Sequence, residues 1–128
     1  MRLLLDTQIV LWALTDDSRL GALARDLIGN PENEVYVSAA SIWKIAIKHA
    51  LGRGDIPVSG TRAAELCAQA GYRELPVAWR HTALVDSLPP LHGDPFDRIL
   101  VAQAVTEPMR LLSRDTTVAS YGAMVMPV

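Results

Sequence analysis

Leu3-Leu4-Leu5 and Leu111-Leu112 are short apolar runs without a polar residue at alternate positions. Runs of that kind fit strands buried on both faces, as in a parallel sheet covered by helices. Comparable segments place strands at 2–5, 34–37, 73–77 and 109–112, with a weaker one at 124–128 where Met124 and Met126 are ordinary core filling. Helical periodicity is clearest at 38–51, stopped by Gly52-Arg53-Gly54, and at 95–105, stopped near Pro108. Weaker helices are expected at 9–14, 19–28, 61–70 and 79–84. Strands alternating with helices predict an α/β fold. With 128 residues, half of them hydrophobic, and no internal repeat, the chain is expected to form one domain over 1–128.

Both leucine-rich runs lead into a carboxylate: Asp6 follows the first, and Ser113-Arg114-Asp115 follows the second. If the two strands are parallel neighbours, these groups share the C-terminal edge of the sheet, where open α/β folds build their sites. Asp94-Pro95-Phe96-Asp97 opens the helix at 95–105 and adds two more. Asp6, Asp97 and Asp115 are expected to converge there, with Asp94 nearby. Clustered carboxylates must protonate, separate or hold a cation, and a hard divalent metal suits oxygen ligands. Each aspartate also has a local reading: Asp94 before Pro95 is a typical N-cap, and Asp6 and Asp115 precede Thr7-Gln8 and Thr116-Thr117 as caps or turn residues. Caps do not explain why two strands deliver an aspartate at the same end.

The net charge of −2 argues against holding nucleic acid through a broadly basic surface, so such a partner would need a local site. Cys67 is the only cysteine, which excludes an internal disulfide and a cysteine-based zinc cluster and suits a reducing, cytoplasmic setting. The apolar run after Met1-Arg2 is too short for a signal segment or a membrane span.

Four motifs carry a family resemblance: Leu5-Asp6-Thr7; Val37-Ser38-Ala39-Ala40-Ser41-Ile42-Trp43 with Ile45-Ala46-Ile47-Lys48; His92-Gly93-Asp94-Pro95-Phe96-Asp97-Arg98 with Val101-Ala102-Gln103-Ala104; and Leu112-Ser113-Arg114-Asp115. In this order, over nearly the whole chain, they resemble a PIN-domain nuclease, closest to the VapC-type toxins of bacterial toxin–antitoxin pairs. The resemblance implies a three-layer fold with a parallel sheet of four or five strands, magnesium or manganese in an acidic pocket, and hydrolysis of RNA phosphodiester bonds. It also implies a cognate antitoxin that wraps and inhibits the toxin, in a homodimer or heteromeric toxin–antitoxin complex.

The pattern is broken at Lys44, where the family usually carries glutamate. The chain's 12 basic residues include only two lysines, Lys44 and Lys48. Taken as an isolated helix, the two merely share a solvated face. In the family's arrangement the face of Ser41, Lys44 and Lys48 looks toward Asp6 and Asp97, and Lys44 is expected to reach one of them, lower metal affinity, keep the carboxylates ionised without metal and silence a toxic product, whether the change is natural or acquired during expression.

On this reading Asp6, Asp97 and Asp115 are the catalytic metal ligands, directly or through water, and Asp94 is an outer metal-site member or a cap. Ser113 orients a carboxylate or a water, or makes a local turn bond. Arg98, Arg114 and Lys48 contact phosphate or serve as structural or solvated charges. Trp12 and Trp43 lie near the acidic edge, as core or as an apolar groove for an antitoxin segment. His49, His81 and His92 lack zinc-like spacing and are given no catalytic role. The alternatives are a catalytically inactive PIN domain acting only through antitoxin binding, and an aspartate phosphoacceptor with Asp6 as nucleophile. The latter is disfavoured because Gln8 stands where a second acid is needed.

Overall fold

The structure is a computed structural model that describes residues 1–52 and 56–128. Five strands form one parallel sheet in the order β3-β2-β1-β4-β5: β1 Arg2–Leu5, β2 Glu34–Ser38, β3 Arg73–Leu75, β4 Arg110–Ser113 and β5 Val125–Pro127. Seven α-helices among the described residues flank it: α1 Thr7–Leu14, α2 Ala22–Gly29, α3 Ala39–Ala50, α4 Gly60–Gln69, α5 Trp79–Leu84, α6 Pro95–Thr106 and α7 Thr116–Ala119. None of the described helices is long and apolar enough to cross a membrane.

The lack of alternation in the strands has the expected physical basis. Leu3, Leu5, Val35, Val37 and Leu112 pack with Ile9, Val10, Ala24, Ile45 and Ala63 from α1 to α4. Leu4 and Leu111 face the opposite layer, against Leu100, Val101 and Ala104 of α6 and Val118 of α7. The three leucines of β1 are completely buried, and each contributes about 1.5–3 kcal/mol through burial.

Boundaries differ from the sequence expectation for identifiable reasons. β3 ends at Leu75 rather than at 77, because Pro76 has no N–H for the ladder. Helix α3 starts after Ser38, whose hydroxyl accepts from the Ala40 N–H at 3.0 Å as an N-cap. It ends at Ala50, followed by Gly52 at φ 68; the Arg53-Gly54 part of the expected stop lies outside the described residues. The short α7 was not among the expected helices, although Asp115, read as a cap or turn residue, is its N-cap.

Strands β1 and β4 are parallel neighbours, with Leu3 opposite Arg110 and Leu5 opposite Leu112. The chain therefore leaves both at the same edge, and the Asp6 N–H donates to the Leu112 carbonyl at 3.1 Å. Helix α3 is held under this edge by a close crossing with α4. A Cβ added to Gly60 would lie 2.6 Å from Ala46 Cβ and 3.2 Å from its Cα. Gly60→Ala is expected to lower stability by about 1–3 kcal/mol through overpacking, despite alanine's better helix propensity. Urea denaturation checks this, and unchanged or higher stability would show that the two helices separate without cost.

Candidate active site

Helix caps place the carboxylates. Asp6, Asp94 and Asp115 are the N-caps of α1, α6 and α7. In each, Oδ1 accepts helix N–H groups: from Ile9 at 3.0 Å for Asp6, from Phe96 at 2.8 Å for Asp94, and from Thr117 and Val118 at 2.8 and 3.3 Å for Asp115. In each, Oδ2 is engaged by a side chain instead. Ser113 Oγ donates to Asp6 at 2.5 Å, Lys44 Nζ to Asp94 at 2.8 Å, and His92 Nε2 lies 3.0 Å from Asp115. The cap and site readings are thus not alternatives, because the helix N-terminus uses one oxygen and leaves the other for a partner across the pocket.

Asp97, in the first turn of α6, joins them around a pocket of about 370 Å³. The pocket is also lined by Lys44, Lys48, His92 and Arg114. The structure therefore brings together Asp6, Asp94, Asp97 and Asp115. Ser113 stands behind them, orienting Asp6 and accepting from the Asp115 N–H at 3.0 Å. Ser41, fully buried, accepts a hydrogen bond from Thr7 Oγ1 at 3.0 Å and fixes α3 against the start of α1.

Two expectations need correction. Lys44 does not share a solvated face with Lys48, and its direct partner is Asp94 rather than Asp6 or Asp97. The packing of α3 on α6 brings it to the cap of α6, with its ammonium 5.7 Å from the Phe96 ring centre. The ammonium also fails to keep every carboxylate in its usual range. Burial raises the pKa of Asp6 despite the Ser113 bond and the Lys44 charge. Burial likewise raises Asp97 to about 6, with Asp94 and Asp6 adding like-charge repulsion against the pull of Lys44. At Asp94 burial also acts upward, but the Lys44 and Phe96 hydrogen bonds outweigh it and the pKa is lowered. Burial acts upward at Asp115 too, and hydrogen bonds from His92, Val118 and Thr117 hold it down.

Of the two roles open to Arg98, phosphate contact or a structural charge, its contacts match the structural one. Its guanidinium donates to the carbonyls of Val85, Leu88 and Pro89 at 3.2, 3.5 and 3.0 Å and to the Tyr121 hydroxyl at 3.0 Å. It ties down the connection before α6. Arg114 does line the pocket, but it also donates to the Arg19 carbonyl at 2.7 Å and lies 5.4 Å from the Trp12 ring centre. His92 is the pocket member that the sequence reading left out. Its place two residues before Asp94 was the available signal. His81 is structural, fully buried with Nε2 2.7 Å from Glu107 Oε2, and His49 is exposed.

Beside the acidic pocket runs an apolar groove of about 840 Å³, lined by Trp43, Phe96, Val77, Val85 and Ile99 among others. Trp43 is 63% exposed and meets Phe96 edge-on at 5.2 Å. Trp12 is partly buried among core residues, so the two tryptophans divide between core and groove.

A family model described as PIN domain matches residues 3–123, and the chain belongs to the PIN domain family. Its fold is similar to the crystal structure of VapBC2 from Rickettsia felis bound to a DNA fragment from their promoter. That likeness has a TM-score of 0.68 at 12% sequence identity and covers 99% of this chain and 98% of that one. No curated protein matches the sequence.

The raised pKa of Asp97 gives a pH prediction with a defined sign. A carboxyl that ionises less readily in the folded state than in the unfolded chain favours folding at low pH. That contribution is lost as pH rises through the window from 3.8 to about 6. In metal-free buffer the stability of the natural protein relative to Asp97→Asn is therefore expected to decline across this window. Urea denaturation at a series of pH values measures it, and a flat difference would contradict the burial of a strained charge at Asp97.

Proposed function

We propose that this chain is a metal-dependent endoribonuclease toxin held by a cognate antitoxin, its activity impaired by Lys44 in place of the family glutamate. The observation that carries the reading is the orientation of the carboxylates: three caps turn their second oxygen away from the helix, and Asp97 faces the same pocket. The donor set fits magnesium or manganese, because the carboxylate oxygens are hard ligands and such ions need few of them. Asp6, Asp97 and Asp115 would hold the ion, with Asp94 at the margin. When bound, the ion supplies charge relief at the phosphate and activates the attacking water.

The protein's own groups do the remainder. Ser113 fixes the direction of the Asp6 carboxylate, while Arg114 and Lys48 at the rim supply cations for the phosphates that flank the cleaved bond. Net charge being negative, this local pair replaces a broad basic surface. The apolar groove with Trp43 at its side fits an apolar antitoxin segment, within a homodimer or heteromeric complex in the cytoplasm. One domain, 1–128, carries all of this.

The test is cleavage of single-stranded RNA by the natural and Lys44→Glu proteins with magnesium, with manganese and with chelator. Cleavage by neither form under any condition would overturn the nuclease reading. A second reading is favoured by the Lys44–Asp94 ion pair: a catalytically inactive PIN domain acting only through its antitoxin. Metal titration separates the two, since the inactive form binds no ion in the pocket. The phosphoacceptor alternative loses ground, because Asp6 is buried with both oxygens hydrogen-bonded.

A further inference from the structure

His92 reaches into the acidic pocket from a connection that Arg98 and Tyr121 hold in place, its own N–H donating to the Tyr121 hydroxyl at 3.1 Å. The Asp94 N–H donates to His92 Nδ1 at 3.0 Å. A backbone N–H has no acceptor capacity, so Nδ1 presents its lone pair and the ring proton resides on Nε2. Nε2 in turn stands 3.0 Å from Asp115 Oδ2 and 3.3 Å from Asp97 Oδ2. Both ends of the ring select the same tautomer. The opposite one would set a proton against the Asp94 N–H and a lone pair against two carboxylates.

By distance alone, His92, Asp97 and Asp115 form a possible three-ligand metal group, their ligand atoms all within 4.8 Å of one another. Ligation through Nε2 requires the proton to move to Nδ1 and abolishes the bond from Asp94. We propose that His92 is a positioning residue, not a metal ligand: its Nε2–H straps Asp97 to Asp115 and leaves the pocket with oxygen donors only. The consequence is a preference for magnesium or manganese over ions such as zinc that favour imidazole. The proposal rests on the reading of this pocket as an ion site.

The experiment compares the natural protein with His92→Gln and His92→Ala, each also carrying Lys44→Glu in a second set. Manganese and zinc affinities are measured by calorimetry, and the imidazole nitrogen resonances by NMR, without ion and with magnesium or zinc. Loss of the strap in His92→Ala is expected to weaken manganese binding about tenfold or more. His92→Gln, whose amide donates from nearly the same place, should recover most of that loss, and zinc affinity should fall in the same proportion as manganese. The Nε2–H tautomer should persist when either ion is added. Loss of that proton on adding zinc, a zinc affinity that depends on His92 far more than manganese does, or equal manganese affinity in all variants would each overturn the proposal. Absence of ion binding in every form would instead defeat the ion-site reading and this proposal together.

Discussion

Lys44→Glu is expected to destabilise the metal-free protein, tighten magnesium and manganese binding and switch on RNA cleavage. Lys44 now donates to Asp94 at 2.8 Å and lowers the cost of the charges on Asp6 and Asp97. Glutamate there leaves Asp94 without its partner and adds a fifth carboxylate, a change of two charge units inside a largely buried pocket. Loss of one charged hydrogen bond alone costs about 1–3 kcal/mol, so denaturation in chelator should register the change. A divalent ion reverses the sign, because the added repulsion is what the ion relieves. An affinity gain of about tenfold needs only about 1.4 kcal/mol of that relief. Calorimetry, RNA cleavage at equal metal and salt, and toxicity in a bacterial host measure the three effects. If the lysine form cleaves as fast with the same metal dependence, the charge at position 44 has no bearing on the reaction.

Asp6→Asn should separate stability from function most sharply. Asp6 is 6% exposed, and burial makes its charge unfavourable despite the bonds from Ser113 and Ile9. Asparagine is also a good N-cap, so the amide oxygen can retain the Ile9 bond while the uncompensated charge disappears. Thermal stability without metal is expected to rise. Ion binding and cleavage, measured in the Lys44→Glu background, should fall by about a hundredfold or more, as when a preorganised electrostatic group is removed from an active site. A protein that loses stability and activity together would show Asp6 to be a structural cap only. Gain of stability with full activity would remove it from the site.

The aspartates show how far local chemistry reaches. Asp94 before Pro95 and Asp115 before Thr116 satisfy the rules for N-caps, and both are caps. That assignment follows from backbone geometry within a few residues, which a sequence displays. The direction of the second oxygen does not, since it depends on which distant group lies opposite: Ser113 across 107 positions for Asp6, Lys44 across 50 for Asp94 and His92 across 23 for Asp115.

For Arg98 the sequence reading left phosphate contact and a structural role both open, although a signal to choose between them existed. Neighbouring residues on a helix do not share a face, so an aspartate at 97 turned into the pocket directs the arginine at 98 elsewhere. Lys44 was placed on the correct face of α3, but its partner was set by how α3 crosses α6, an angle that no pattern within either helix records. The short α7 escaped because two threonines are weak helix formers, and its single turn depends on the cap from Asp115.

The sequence by itself determined the doubly buried strands, the order of the longer helices and an aspartate just beyond each leucine-rich strand, because strand burial, helix periodicity and capping are properties of short segments. Only the tertiary structure decided that the two strands are neighbours and share an edge, that Lys44 pairs with Asp94, that His92 lies against Asp97 and Asp115 and that Arg98 serves the scaffold. Those outcomes depend on a few ångströms of approach between segments far apart in the chain, where charge, burial and hydrogen-bond direction are settled together.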